Sequence, residues 1–431
     1  VTRPWRRAIG WLAFLAPFFY LTYGAANALA ARRQHVPSIV FAWEHRIPFV
    51  DWTIIPYWSI NAFYGISLFV CATRTELDTH ARRLLTAQVV AVACFILFPL
   101  RVTFPHPDTD GLPGFMFDAL TSFDQPFNQA PSLHIALLVI LWVLYAKHLP
   151  KPWRWPLHLW FALVGGSVLT TYQHHFFDIP TGAWLGFVCL WLWPERGVSP
   201  LAGVALATER KRVVLAMRYL VGGAVVAGLA IWIGGAGLWL LWPAVSLLIV
   251  AANYAFLGPD GFQKDADGRM SLAARVLLAP YLAGAFINSR SWTRREPHPV
   301  AIASGVWLGR IPRAHDTAAF ANVVDLCAEL PGASSAARWI CVPMLDLVPP
   351  PAAGLRSAAA HIERARCEGP VLVCCALGYS RSAAAAATWL LTSRTAGTVA
   401  EAIDQVRGAR PGIVVDTALR DRIATAAERA G

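Results

Sequence analysis

Apolar runs of about twenty residues recur through the first 257 positions of this chain, and they constrain its fold more than any other feature. One helix of that length crosses the roughly 30 Å hydrocarbon core of a bilayer. We read such runs at residues 8–30, 53–72, 84–104, 132–149, 155–173, 177–194, 213–234 and 236–257. The whole chain is 56% hydrophobic and only 15% charged. Soluble domains carry about 25% charged residues, so lipid is the expected solvent for much of this one. Beyond Gly258 charged residues become frequent and the character changes.

Basic residues mark the ends of the runs. The set Arg3, Arg6, Arg7, Arg74, Arg82, Arg83, Lys147, Lys151, Arg154, Arg196, Arg210, Lys211 and Arg212 falls on one side. Only Arg32, Arg33, Arg46 and Arg101 fall on the other, which puts the N-terminus in the cytosol. The net charge of +11 therefore reads as lipid-headgroup anchoring, and no nucleic-acid partner is expected. Residues 195–212 form a polar linker between a six-helix unit (8–194) and two further helices (213–257). Residues 258–296 are a juxtamembrane segment. Arg275 interrupts the stretch Met270–Arg290, which predicts an amphipathic helix at the interface rather than a span. With eight spans, the C-terminal region is cytosolic. The eight cysteines show neither a disulfide framework nor zinc-ligand spacing.

From residue 297 to 431 the pattern is that of an α/β domain. Strand-like runs begin at Val306, Val323, Trp339 and Val371, and helical stretches lie near 352–367, 381–393 and 398–408. The segment Val371–Ser382 reads as strand, tight loop and helix. Cys375 is followed by Ala376, Leu377, Gly378, Tyr379 and Ser380, then Arg381 and Ser382. A loop of that length wraps a tetrahedral phosphate with successive N–H groups, and the helix start adds a positive dipole end. Arg381 supplies a bidentate clamp, and Cys375 attacks phosphorus as a thiolate. Asp346 follows a strand and is the candidate acid for the leaving oxygen, with Ser382 as hydrogen-bond partner of the departing sulfur.

These residues resemble the dual-specificity branch of the protein-tyrosine-phosphatase superfamily, whose signature is His-Cys, five residues, Arg, Ser/Thr. The likeness runs from Val306 to the C-terminus and includes Val323-Val-Asp-Leu326 and the Arg410-Pro411 pair. Cys374 stands where that family has His. The loop holds no Lys or Arg between Cys375 and Arg381, where relatives that handle polyphosphoinositides tend to carry basic residues, so the resemblance implies a substrate other than a multiply phosphorylated inositol headgroup.

A second constellation lies in the six-helix unit. Pro131-Ser-Leu-His134 opens one helix, and Thr171-Tyr-Gln-His-His-Phe-Phe-Asp178 joins two others. Both fall at the non-cytosolic helix ends, as does Arg101. Ionisable residues at that depth are costly and point to function. His174 is the candidate nucleophile, Asp178 its orienting carboxylate and His134 the acid, with Arg101 and Ser132 holding phosphate. His175 is the alternative nucleophile, but only His174 leaves a three-residue gap before Asp178. The other histidines at helix ends (His35, His45, His106, His158) read as interfacial anchors or loop residues.

The motifs resemble the type-2 phosphatidic acid phosphatase superfamily over residues 8–194, and its inositol-phosphotransferase branch most. The family's Lys-rich first motif is reduced here to Arg101, and Val168 stands where an Arg usually precedes the nucleophile.

The expected fold class is a polytopic α-helical membrane domain, a six-helix core plus two further helices, followed by an α/β dual-specificity-phosphatase domain. The expected protein is a bifunctional phosphatase or phosphotransferase of the inner membrane, with the Cys375 site cytosolic and the His174 site on the opposite face. It needs no cofactor and no metal, and its partners are the membrane and a phospholipid or lipid phosphate. A membrane-anchored phosphoprotein phosphatase and a non-catalytic phospholipid scaffold are the competing readings.

Overall fold

The computed structural model describes residues 3–303 and 305–428. They form two compact units that divide between Arg196 and Gly197.

The first unit is helical: α1 (Trp5–Ala31), α2 (Ile54–Val70), α3 (Arg74–Leu97), α4 (Gly111–Thr121), α5 (Leu133–His148), α6 (Lys151–Thr170) and α7 (Asp178–Leu192). Local chemistry sets several ends. Thr73 caps α3 by accepting from the Glu76 N–H at 3.1 Å, while the Glu76 carboxylate reaches back to the Ala72 N–H. Ser132 caps α5 in the same way through Ile135. Gly182 and Gly186 let α7 lie directly on α5. A Cβ on Gly182 would sit 2.4 Å from the Ser132 carbonyl oxygen, and one on Gly186 2.8 Å from the Val139 Cβ.

Helices stand at each of the six expected runs in this unit, but their lengths correct the reading. Five helical segments of the described chain are long and apolar enough to cross a membrane: Trp5–Ala31, Asp51–Val70, Arg74–Leu97, Arg210–Ile233 and Gly235–Phe262. Helices α5 and α7 are shorter than a span, at 16 and 15 residues. Helix α5 begins just after Pro131 and α7 just after the turn at 171–177, which is where the polar residues collect. The short helix α4 was not expected.

The second unit begins with α8 (Arg210–Ile233) and α9 (Leu241–Ala252), joined by a 3-10 turn, and continues through a π turn at Asn253–Leu257. The amphipathic helix expected over 270–290 is instead two helices, α10 (Leu272–Leu277) and α11 (Ala279–Trp292). Pro280 lacks an N–H to continue the ladder and falls in the first turn of α11.

A five-stranded mixed sheet follows, in the order β1-β2-β5-β3-β4. Its strands are β1 (Val300–Ala303), β2 (Val306–Arg310), β3 (Asn322–Cys327), β4 (Arg338–Met344) and β5 (Val371–Cys375). Only β1 is antiparallel to its neighbour. Four of these strands answer the expected runs; β1 was missed. Central strands β3 and β5 are buried at every residue, as a sheet covered on both faces requires.

Val371, Val373 and Cys375 face one core with α12 (Ala352–Glu368), α13 (Arg381–Thr392), α14 (Val399–Ala409) and α15 (Thr417–Glu428). Leu372 and Cys374 face the other core, with Phe320, Trp339 and, from α11, Ala285. The phosphate-type loop thus leaves the C-terminal end of a central parallel strand and enters α13.

Candidate active sites

Cys375 is the last residue of β5 and Arg381 the first of α13, so residues 376–380 are the whole connection. The turn is tight because Gly378 adopts φ +79° and lies on the backbone of β2. A Cβ there would meet Gly309 backbone atoms at 2.5 Å. No other residue fits both constraints. The loop is fastened from outside: Ser289 donates to the Ala376 carbonyl at 2.5 Å, and buried Arg410 donates to the Leu377 carbonyl at 3.2 Å. The Arg410 guanidinium also lies over the Tyr379 ring.

Within the loop the Cys375 Sγ is 3.2 Å from the Ser382 Oγ and accepts from the Gly378 N–H at 3.3 Å. Adjacent strand residues point to opposite faces, so Cys374 lies in the other core and is fully buried. Burial, the charge of Asp325 adding to it, pushes the Cys374 thiol well up.

Arg381 is 1% exposed and its guanidinium is almost fully engaged. Nη1 donates to Glu329 Oε2 and to the Met344 carbonyl, each at 2.8 Å, and Nη2 donates to Glu329 Oε1 at 2.6 Å. Nη2 also lies 3.0 Å from Asp346 Oδ1. Nε is buried with no partner among the described residues. Burial works against the charge of Arg381, but Asp346 and Glu329 outweigh it and hold the guanidinium ionised.

The two carboxylates differ. Burial pushes Asp346 up against the pull of Arg381. Glu329 is buried too, yet the charge and hydrogen bonds of Arg381 hold it below the usual range. Asp346 sits beside Leu347, which takes φ +59°, a strained conformation for a branched side chain.

Residues 306–428 match the family of the dual specificity phosphatase catalytic domain. The chain carries a dual-specificity phosphatase domain and is a phosphatase. Solved structures similar to it include human DUSP28, at 25% identity over 30% of this chain and 96% of that chain, with a TM-score of 0.28. A mouse putative dual specificity phosphatase complexed with zinc tungstate is 23% identical over 31% of this chain and 88% of that one, at 0.28. PTPMT1 is 19% identical over 31% and 95%, at 0.27. Among curated proteins there is no match.

The phosphatase pocket encloses about 790 Å³. Cys375, Ala376, Ser380, Glu329 and Asp346 line its polar end, while Tyr219 of α8, Pro243 and Leu247 of α9, and Tyr281 and Gly284 of α11 line the rest. Sequence reading missed Glu329 and the contribution of α8, α9 and α11. An acidic residue just past a strand carries no signal until Arg381 is seen to turn toward it.

In the first unit, Ser132, His134, His174 and Asp178 converge where α7 starts beside α5. His174 Nδ1 lies 3.2 Å from Asp178 Oδ2, and His174 Nε2 lies 3.2 Å from Ser132 Oγ. Asp178 also accepts the His175 N–H at 3.0 Å. His134 stacks on Tyr57, ring centroids 4.3 Å apart, and its Nε2 is buried without a partner among the described residues. His134 and His174 line one cavity of about 490 Å³, largely apolar and walled by α1 and α2.

His174 also lines a second cavity that holds Arg101 at its rim. His175 has both ring nitrogens engaged, with Nδ1 3.1 Å from Glu44 Oε2 and Nε2 accepting the Thr103 N–H. His174 has both ring nitrogens engaged as well, but it lines both cavities, whereas His175 lines neither. No group of His, Cys, Asp or Glu suited to a metal occurs among the described residues.

Proposed function

We propose that the phosphatase domain hydrolyses a phosphomonoester borne by a membrane lipid, and that the helical unit handles a lipid phosphate through His174. The observation that carries the first part is the wall of the Cys375 pocket. Tyr219, Pro243 and Leu247 belong to the two segments of the second unit, Arg210–Ile233 and Gly235–Phe262, that are long and apolar enough to cross a membrane. A volume of about 790 Å³ also far exceeds a phosphate group and suits a ligand with a sizeable apolar portion.

The Cys375 thiolate attacks phosphorus, forming an S–P bond as the P–O bond to the alcohol breaks. Asp346 gives its proton to the leaving oxygen. Arg381 and the loop N–H groups hold the equatorial oxygens, with Gly378 allowing the loop to close around them. Water then attacks, Asp346 takes its proton, the S–P bond breaks, and Ser382 donates to the departing sulfur.

In the helical unit, which resembles type-2 phosphatidic acid phosphatases, His174 Nε2 attacks phosphorus and Asp178 steadies the imidazolium. His134 protonates the leaving oxygen, and Arg101 and Ser132 hold the phosphate. An alcohol or water then accepts the phosphoryl group, so transfer and hydrolysis share this step. In this reading the phosphatase domain faces the cytosol, which the Lys/Arg asymmetry of the sequence supports.

Turnover of a lipid monophosphate in mixed micelles by Cys375→Ser and His174→Ala variants tests the two parts separately. Each variant should lose one activity and keep the other. Loss of neither would overturn the proposal. A reporter fused at the C-terminus tests the placement, and a periplasmic signal would contradict it.

A further inference from the structure

Three parts of the Cys375 site are fastened by side chains from the segment that links α9 to the sheet. Ser289 holds the Ala376 carbonyl of the phosphate loop, and the Tyr254 hydroxyl donates to the Asp346 carbonyl at 3.0 Å. The third fastening is Lys264. It lies in the short hairpin between Phe262 and α10, where it bridges to Met270. Its ammonium is fully buried and uses all three of its protons. Two go to Asp325 Oδ2, at 2.5 Å, and the Cys327 carbonyl, at 2.7 Å. The third goes to the Leu330 carbonyl at 2.6 Å.

Those carbonyls bracket Glu329. The turn they define is also held by Asp325 Oδ1, which accepts the Cys327 N–H at 2.8 Å. Glu329 in turn sets the plane of the Arg381 guanidinium through two parallel hydrogen bonds. A buried ammonium costs a great deal to desolvate, and a neutral apolar side chain would fill that space at less expense. Pinning the backbone on both sides of one carboxylate gives the charge a use.

The structure assigns Lys264 as a positioning residue for phosphate binding, acting through the Cys327–Leu330 turn and Glu329 on Arg381. It touches neither substrate nor Cys375. The link makes the juxtamembrane hairpin a part of the catalytic frame. The inference rests on the reading of Arg381 as the phosphate clamp, which Arg381→Ala tests alone.

The test is a double-mutant cycle in the full-length protein. Lys264→Met with Asp325→Asn removes both charges together. It should lower kcat/KM for p-nitrophenyl phosphate and weaken orthovanadate inhibition by about tenfold, with iodoacetamide alkylation of Cys375 within about twofold of the parent. In a Glu329→Gln background the same pair should cost less than about threefold, because the path is already cut. Equal losses in both backgrounds would show a merely structural role and overturn the assignment, as would unchanged vanadate inhibition in the first. Should the Met variant not fold, Lys264→Gln with Asp325→Asn, whose amides can pair, is put through the same cycle and judged by the same outcomes.

Discussion

Arg381 and Glu329 are joined by two parallel hydrogen bonds of 2.8 and 2.6 Å, and neither residue is more than 3% exposed. The catalytic-type arginine is therefore oriented before any phosphate arrives. Its Nη2 also rests against Asp346, and among the described residues only Nε is left without a partner. A phosphate that takes two donors from this guanidinium must displace Asp346. That movement frees the carboxyl group to face the leaving oxygen.

Glu329→Gln keeps the shape and removes the charge. We expect kcat/KM for small aryl phosphates to fall by about tenfold or more, with Cys375 still open to alkylation. Breaking a buried pair from one side should also cost about 3 kcal/mol of stability. Thermal unfolding in detergent checks the second effect, and steady-state kinetics the first.

Asp346 works as an acid only while protonated. Burial raises its pKa above the ordinary 3.8, so the active form persists to higher pH than a free aspartate allows. Turnover of esters with poor leaving groups should decline as pH rises through that raised value. Asp346→Asn should abolish this alkaline decline and slow alkyl esters far more than p-nitrophenyl phosphate. Paired pH–rate profiles for the two substrates check both statements.

Gly378→Ala places a methyl group about 2.5 Å from the Gly309 backbone at φ +79°. The loop must open to accommodate it. Orthovanadate affinity and kcat should both fall by at least about tenfold, since the loop N–H groups no longer converge. Titration of vanadate inhibition is the check.

In the helical unit, Glu44 and His175 form a buried pair beside the His174 site. Glu44→Gln should loosen the Thr103 N–H contact of His175 and so the segment carrying Arg101. Lipid-phosphate turnover by this unit should show a raised KM with kcat less affected, whereas His174→Ala should abolish it. The split between KM and kcat is the measurement.

Much of the second unit was legible in the chain. Four strands and three helices stand where period and composition put them, because β-branched runs and Ala-rich stretches leave little choice. The tight connection from Cys375 through Gly378 to Arg381 could be read from spacing, since a strand-to-helix turn this short admits few sequences. Glu329 and Lys264 could not be read, because their importance lies in pairing across 52 and 61 residues of sequence. The runs read at 132–149 and 177–194 lie within two residues of α5 and α7 at each end, and the residues lost there leave each helix short of a span. The break at Leu278 has its signal in Pro280, which the reading of 270–290 as a single amphipathic helix interrupted by Arg275 did not use.

The central claim is that the pocket closed by α8, α9 and α11 takes a lipid phosphomonoester to Cys375. The most direct measurement is phosphate release by the purified full-length protein from two substrates. One is a lipid monophosphate in mixed micelles and the other a phosphotyrosine peptide, each with Cys375→Ser and Leu247→Trp variants alongside. The account predicts faster release from the lipid, loss of all Cys375-dependent release in Cys375→Ser, and a loss confined to the lipid in Leu247→Trp. Preferred release from the peptide, with Leu247→Trp indifferent on both substrates, would contradict it.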